Sequence, residues 1–220
     1  MDPARIADLL QPFVSDVLSP AQLNNISTYI DILIRWNARI NLTAIRDPED
    51  IVPRHFGESL FAARHLFPVP SVSSVSPVVN EVAVADIGSG AGFPGLPLKL
   101  WAPHVSLTLI ESNHKKVAFL REVARALTLT DVDIQNARAE TLADTHFDVV
   151  TLRAVEQFES ILPTAAALVA PSGRLALLIG TAQQDQAHRT LPSMVWSTPI
   201  PIPASRSRIL LLGRKPVTAA

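Results

Sequence analysis

The sequence contains no cysteine among its 220 residues. This excludes disulfide bonds and thiolate metal ligands, and it fits a reducing cytoplasm. No apolar run approaches the roughly 18 residues that a membrane span needs. The first residues, Met1-Asp2-Pro3-Ala4-Arg5, lack the basic-then-apolar order of a signal peptide. We therefore expect a soluble, cytoplasmic protein that does not bind membranes, and nothing gives a reason to expect a metal.

Excess charge of either sign is also absent, because the formal net charge is only −1. No global basic field would attract a nucleic acid. The distribution is uneven, however, since residues 173–220 hold six Lys or Arg against one acid, Asp185. Ordinary scatter with a basic tail explains this, and a local surface that faces RNA remains open.

The first 66 residues have the pattern of helices. Apolar residues recur at three- and four-residue steps over Leu23–Ile40, which predicts one buried helix face. Asp47 can cap a helix that starts at Pro48, a residue type suited to the first helical position. We predict an N-terminal helical cap over residues 1–66.

A second region starts after an uncharged stretch rich in proline, serine and valine. We predict a linker over residues 67–80 and a single α/β domain over residues 81–220. In that domain apolar strands alternate with helical segments, from Val82–Ile87 to a last strand in Arg208–Leu212. Such alternation indicates a mostly parallel sheet with helices on both faces.

Glycine is scarce, with 8 residues in all, yet four of them lie close together directly after a predicted strand. They are Gly88, Gly90, Gly92 and Gly95, within the segment that runs from Asp86 to Gly95. A strand that ends in a glycine-rich loop lets the backbone approach a ligand closely. The pattern favours a nucleotide-type cofactor.

Three interpretations of this loop are open. A dinucleotide dehydrogenase would match the spacing of Gly90, Gly92 and Gly95, although that spacing is weak evidence alone. A methyltransferase dependent on S-adenosylmethionine (SAM) would use Asp86 near the cationic end of the ligand and Glu111 for the ribose hydroxyls. A plain turn without a ligand is disfavoured, since it needs only one or two glycines.

Several motifs together resemble one family, the bacterial small-subunit rRNA guanine-N7 methyltransferases called RsmG or GidB. The resemblance rests on Trp36-Asn37-x-x-x-Asn41-Leu42-Thr43, Arg54-His55-x-x-x-Ser59, Asp86-Ile87-Gly88-Ser89-Gly90-Ala91-Gly92-Phe93-Pro94-Gly95, Glu111-Ser112-x-x-Lys115-Lys116-x-x-Phe119-Leu120 and Arg153-Ala154-Val155. It implies a Rossmann-like class I SAM-dependent methyltransferase fold, with a mostly parallel seven-stranded sheet. The implied reaction is methylation of N7 of a guanine in the decoding region of 16S rRNA, guanine 527 by the usual RNA numbering.

The resemblance also implies site residues. The SAM contacts would include Gly88 and Phe93 in the loop, Ala139 and Glu140 after the third strand, and Arg153 after the fourth. Arg153 is expected to matter in catalysis as well. The other loop residues of the cofactor site would be Ser89, Gly90 and Gly92, beside Asp86 and Glu111. The implied partner is 16S rRNA or the small ribosomal subunit, and we expect a monomer.

The sequence departs from the family pattern at four positions. Ile179 stands where a lysine usually precedes Gly180, Glu58 replaces a more usual aspartate, and Glu156 and Gln157 stand where small residues are common. A missing cation near the active site would weaken substrate binding. A non-catalytic RNA-binding relative, or one with a shifted substrate, therefore remains an alternative.

Overall fold

The computed structural model describes residues 1–14, 18–68, 82–153 and 158–216. The predicted linker 67–80 lies almost wholly outside them. The helices are α1 Pro3–Leu10, α2 Pro20–Asn37, α3 Pro48–Ile51, α4 Glu58–Leu66, α5 Gly95–Trp101, α6 His114–Ala126, α7 Phe158–Leu168 and α8 Gln184–Thr190. The strands are β1 Ala83–Ile87, β2 Ser106–Ile110, β3 Val132–Gln135, β4 Phe147–Arg153, β5 Val169–Gly180, β6 Val195–Trp196, β7 Ile200–Pro201 and β8 Arg208–Arg214.

The N-terminal helices begin where the sequence supplies a cap. Three of them start with a polar capping residue followed by proline, at Asp2-Pro3, Ser19-Pro20 and Asp47-Pro48. The Ser19 side chain accepts from the Gln22 backbone amide, and the Gln22 side-chain oxygen accepts from the Ser19 backbone amide. These two bonds form a complete capping box. Helix α2 therefore begins three residues before the predicted Leu23 and ends at Asn37, three before the predicted Ile40.

Helices α3 and α4 are joined without a loop by a π-helical turn over Val52–Gly57. Single π turns are rare in proteins, and those that occur are often found at functional sites. Gly57 lies against the Phe13 ring, and a β-carbon there would come within 2.7 Å of it. The turn is thereby fixed against the end of the first helix.

The sheet has the strand order β3-β2-β1-β4-β5-β8-β6, and β7 also pairs with β8. The first five of these strands are parallel, whereas β8 runs antiparallel to β5. The chain builds one side of the sheet from β1 to β3 and then crosses to β4 on the other side of β1. This confirms the predicted mostly parallel sheet, with seven strands in the main path and the two-residue β7 beside them.

Alternation along the strands divides the core in two. Val84 packs into the cluster that contains the N-terminal helices, while Ala85 and Ile87 pack into the cluster beneath α7. One face of the sheet is thus covered by helices from the predicted cap, and the division of the chain into cap and domain stays a prediction. No helix in the described part of the chain is long and apolar enough to cross a membrane.

Candidate active site

A cavity of about 400 Å³ opens at the carboxyl ends of β1, β2 and β3. In open parallel sheets, ligands bind at this edge, beside the point where the strand order reverses. That point lies here between β1 and β4. The cavity is lined by Ile87, Gly88, Ile110, Glu111, Ser112, Ala137, Arg138, Ala139, Glu140 and Ile161.

A cleft of about 480 Å³ lies elsewhere, between α2 and the segments that precede β2 and β3. Its lining includes Pro103 and Thr128 to Thr130, which lie at the amino ends of those strands. Lys99, also in its lining, donates to the carbonyls of Pro103 and Val105. The position at the amino edge of the sheet makes this cleft the weaker candidate.

The glycine loop uses its glycines for two different reasons. Gly88, Gly90 and Gly92 all have positive φ, at 65°, 55° and 83°, a region that side chains rarely adopt. A β-carbon on Gly92 would also collide with Tyr29 and Leu96. A β-carbon on Gly95 would come within 3 Å of the Asp86 carboxylate. At Gly90 the nearest atom to such a carbon is the Gly88 carbonyl oxygen at 3.6 Å, so this position is open.

Asp86 lies beneath the loop and not in the cavity. It is fully buried; its Oδ2 accepts from the Gly95 amide at 3.2 Å and its Oδ1 accepts from the Thr151 hydroxyl at 2.8 Å. The sequence suggested a carboxylate that faces the cationic end of a ligand, whereas here both oxygens are engaged inside the protein. The Asp86 side chain holds the start of α5 and the neighbouring strand β4 together.

Burial raises the pKa of Asp86 to about 6, and its hydrogen bonds with Thr151 and Gly95 offset only part of that cost. In the unfolded chain the same carboxyl titrates near pH 4. The folded protein therefore holds more protons than the unfolded one between about pH 4 and pH 6. The contribution of Asp86 to stability is complete below pH 4 and is lost as pH rises through about 6.

Asp86→Asn is expected to raise the free energy of unfolding at pH 8 by about 1–3 kcal/mol. The new amide can accept from Gly95 and donate to Thr151, whose hydroxyl already lies 3.3 Å from the Ala85 carbonyl. Urea denaturation at several pH values measures this. The gain should shrink as pH falls from 6 to 4, with Asp148→Asn as the control on β4; a gain that does not change with pH contradicts a raised pKa.

Glu111 is one of two acidic residues in the cavity lining, beside Glu140. Its Oε2 accepts from the Gly90 amide at 2.9 Å and its Oε1 accepts from the Asn113 amide at 2.8 Å. A carboxylate oxygen can accept two hydrogen bonds, so each of these oxygens keeps the capacity to accept one more. Glu111 therefore joins the glycine loop to the end of β2 and can still bind hydroxyl groups.

The remaining predicted site residues divide between the cavity and the interior. Ala139 and Glu140 begin a short 3-10 turn after β3 and line the cavity. Ser89 is buried, and its hydroxyl donates to the Asp86 carbonyl at 2.9 Å. Its contribution is to the shape of the loop.

Phe93 lies in an aromatic stack behind the loop. Its ring is parallel to Tyr29 at 5.3 Å and to His55 at 4.8 Å, and it meets the edge of Phe56 at 5.1 Å. Only 7 % of Phe93 is exposed. The ring is thus not part of the cavity lining, and the stack ties the loop to helix α2 and to the π turn.

Arg153 ends strand β4 and reaches the same π turn. Its Nη2 donates to the Arg54 carbonyl at 2.6 Å and to His55 Nδ1 at 3.0 Å, and its guanidinium lies 5.9 Å from the centre of the Phe93 ring. Burial lowers its pKa to about 10, against the favourable effect of Glu58. Arg153 therefore stays charged in a largely buried position beside the glycine loop.

Three arginines converge on one buried carboxylate. Glu58 is 1 % exposed and pairs with Arg54 at 3.0 Å, Arg153 at 3.3 Å and Arg208 at 2.8 Å. The sequence singled out Arg153 as a site residue but did not indicate this cluster, and the i, i+4 spacing of Arg54 and Glu58 was its one readable signal. The cluster joins the π turn to the ends of β4 and β8.

The departures from the family pattern have different settings. Ile179 is 3 % exposed in the apolar cluster beneath α7 and does not line the cavity. Glu58 is the carboxylate with which the three arginines of the cluster pair. Glu156 and Gln157 lie outside the described residues.

Comparison with solved structures supports the fold. A predicted O-methyltransferase from Agrobacterium tumefaciens aligns with a TM-score of 0.54 at 20 % identity, covering 74 % of this chain and 82 % of that one. The Pyrococcus horikoshii protein TYW2, solved in complex with MeSAdo, aligns with a TM-score of 0.52 at 13 % identity, covering 61 % and 56 %. At these identities the likeness shows the class I methyltransferase fold alone.

Comparison of sequences is more specific. A ribosomal RNA small subunit methyltransferase G from Halorhodospira halophila is 42 % identical over 169 residues, 77 % of this chain and 75 % of the relative. The protein of the same name from a Roseiflexus species is 36 % identical and covers 90 % of this chain and 85 % of the relative. A GidB family model, described as rRNA small subunit methyltransferase G, matches residues 22–200. Because the match extends from α2 to β7, through the glycine loop, Glu111 and Arg153, the chain belongs to the GidB family of rRNA small subunit methyltransferases.

Proposed function

We propose that this enzyme transfers a methyl group from SAM to N7 of a guanine in the decoding region of 16S rRNA, guanine 527 by the usual RNA numbering. The observation that carries the proposal is the Glu111 carboxylate in the cavity beside the left-handed glycine loop, in a chain of this family. We further propose that the enzyme acts as a monomer on 16S rRNA or on the small subunit.

The residues around the cavity fit SAM. The acceptor capacity that the Glu111 oxygens keep suits two ribose hydroxyls, and Gly88 offers a wall without a side chain. Ala139 leaves room for a flat base, and Glu140 lies beside it with an exposed carboxylate. Ser89, Gly90, Gly92 and Asp86 support this site through the shape of the loop, and Phe93 through its packing.

The chemistry asks little of acid and base groups. When bound, SAM supplies an electrophilic methyl group on a sulfonium. Guanine N7 has a lone pair and no proton to lose, so no general base is required. The protein's part is to orient the base, exclude water and stabilise the charge that develops on the purine.

Arg153 is the side chain to which we assign the orientation of the base. Its position at the carboxyl end of β4, across the strand-order switch from Gly88, puts a fixed cation at the edge of the site. A guanidinium donates to purine oxygen and phosphate oxygen with equal ease. Exposed cations, among them Arg206 and Lys115, are candidates for contacts with the RNA backbone.

A methyl-transfer assay tests the proposal. Small subunits that lack the modification are incubated with the enzyme and SAM labelled in the methyl group, and the modified base is mapped. We expect label on N7 of one guanine in the decoding region. Label on protein, or on another nucleotide, would refute the substrate assignment and leave the use of SAM standing. Protection from thermal unfolding by NAD and not by S-adenosylhomocysteine would refute the cofactor.

Glu111→Gln is expected to weaken binding of S-adenosylhomocysteine about 10- to 100-fold. The NH2 that replaces one carboxylate oxygen cannot accept from a ribose hydroxyl, so one charge-assisted bond to the ligand is lost, at about 1.5–3 kcal/mol. Isothermal titration calorimetry measures the affinity. Asp133→Asn, on the neighbouring strand β3, is the control; equal affinities for the two variants would remove Glu111 from the site.

A further inference from the structure

One turn of helix presents three acceptors to a single nitrogen of Arg153. Nη2 lies 2.6 Å from the Arg54 carbonyl oxygen, 3.0 Å from His55 Nδ1 and 3.3 Å from Glu58 Oε2. The first two residues belong to the π turn and Glu58 begins α4. Neither the glycine loop nor the cavity requires this arrangement, so it needs an explanation of its own.

The contact with Arg153 fixes the tautomer of His55. A guanidinium nitrogen only donates, so Nδ1 of His55 must accept and the ring hydrogen must be on Nε2. Nε2 lies 2.8 Å from Thr43 Oγ1, which accepts that hydrogen and a second one from the Ile45 amide. Burial and the three neighbouring arginines lower the pKa of His55 to about 3, in agreement with a neutral ring.

Thr43 is itself held in place from α2. The Asn37 side chain accepts from the amides of Leu42 and Thr43 and donates to the Thr43 carbonyl. A hydrogen-bonded chain thus runs from Asn37 through Thr43 and His55 to Arg153. Three polar residues of the first two sequence motifs, Asn37, Thr43 and His55, belong to this chain, and the proposed reaction does not otherwise use them.

Glu58 fixes the same guanidinium from the other side. Because its oxygens also pair with Arg54 and Arg208, the carboxylate is held between three cations. In the described part of the chain it is the one carboxylate that pairs with Arg153. A buried carboxylate in this setting aligns a guanidinium through its charge.

We propose that His55 and Glu58 are positioning residues for Arg153: Nδ1 of the imidazole and the Glu58 carboxylate hold the guanidinium over the Phe93 ring, at the edge of the glycine loop. The inference rests on the proposed function in one respect, because it takes from it that Arg153 takes part in methyl transfer. The π turn is then the element that brings these two groups to one face, and the stack of His55 on Phe93 fixes the distance to the loop.

A pair of histidine variants tests the inference. His55→Asn leaves an amide oxygen close to the position of Nδ1, whereas His55→Gln places its amide near the position of Nε2. Both lose the ring that stacks on Phe93. We expect kcat for methyl transfer to fall about 100-fold in His55→Gln, because a misplaced group costs about that much. In His55→Asn we expect a loss of only about tenfold. His65→Gln is the control, because His65 packs on Phe61 and contacts its carbonyl only.

Glu58 has its own test. Glu58→Gln keeps the shape and removes the charge, and we expect kcat to fall at least about tenfold while the affinity for S-adenosylhomocysteine changes less than about twofold. Glu58→Asp should recover part of the loss. The control is Glu122→Gln, a half-buried glutamate that pairs with Arg35. Equal losses of kcat and cofactor affinity in Glu58→Gln would mean a merely structural role.

A readout without activity separates this inference from the proposed function. Nitrogen-15 NMR of the wild-type imidazoles at pH 7 should show His55 as the Nε2–H tautomer, and the Arg153→Ala variant should lose that bias. A proton on Nδ1 in the wild type would overturn the inference, as would unchanged kcat in both His55→Gln and Glu58→Gln. Wild-type enzyme that methylates no guanine N7 would refute the proposed function, and the tautomer would still decide this inference.

Discussion

Replacing Gly90 with leucine is expected to weaken the affinity for S-adenosylhomocysteine by about 100-fold or more, while the protein stays folded. The Gly90 amide donates to the Glu111 carboxylate, so this residue lies directly beside an acidic residue of the cavity lining. A β-carbon there meets no protein atom closer than 3.6 Å, and a larger side chain therefore projects into open space beside the cavity. A 100-fold loss of affinity corresponds to about 2.7 kcal/mol of binding free energy. Calorimetric titration measures the affinity, and a thermal melt shows that the variant is folded.

Two further variants separate the possible causes. Gly90→Ala has the same backbone strain at a φ of 55° and almost none of the bulk, so it should bind far better than Gly90→Leu. Gly92→Ala puts its β-carbon into Tyr29 and Leu96, so it should lower the melting temperature instead. Undiminished affinity in Gly90→Leu would move the ligand away from this loop.

The loop could be predicted from the sequence because its signals are local. Gly88, Gly90 and Gly92 all adopt positive φ, and Asp86 and Glu111 end adjacent parallel strands, as the spacing predicted. Backbone conformation and strand order follow from nearby residues. What the spacing did not reveal is that Asp86 faces inward, since that depends on Thr151, which is 65 residues away.

The arginine cluster could not be predicted for the same physical reason. Arg54 and Glu58 are four residues apart, but Arg153 and Arg208 reach them only through the sheet topology. The π turn adds a second obstacle, because a helix with one extra residue per turn leaves no recognisable pattern of apolar positions. His55 shows the result: neither its stacking on Phe93 nor its bond with Arg153 could be predicted from the sequence.

Arg153→Ala is expected to lower kcat about 100-fold, because the group that orients the reacting base is lost. The loss should not come from unfolding. Without Arg153, Glu58 still pairs with Arg54 and Arg208, and the repulsion among three neighbouring guanidinium groups is reduced. Because the Arg54 carbonyl and His55 Nδ1 lose their donor, we expect the free energy of unfolding to fall by about 1–3 kcal/mol, at about 2–4 °C in melting temperature per kcal/mol, which leaves the protein folded.

Arg153→Lys distinguishes position from charge. Lysine keeps the positive charge and three donors on one nitrogen, but it is shorter and lacks the planar guanidinium whose carbon lies 5.9 Å from the centre of the Phe93 ring. If a fixed guanidinium is what the reaction needs, the lysine variant should lose nearly as much kcat as the alanine variant, with cofactor affinity within about threefold of wild type. Full activity in the lysine variant would show that charge alone suffices, and the arrangement of acceptors on the π turn would then serve only the fold.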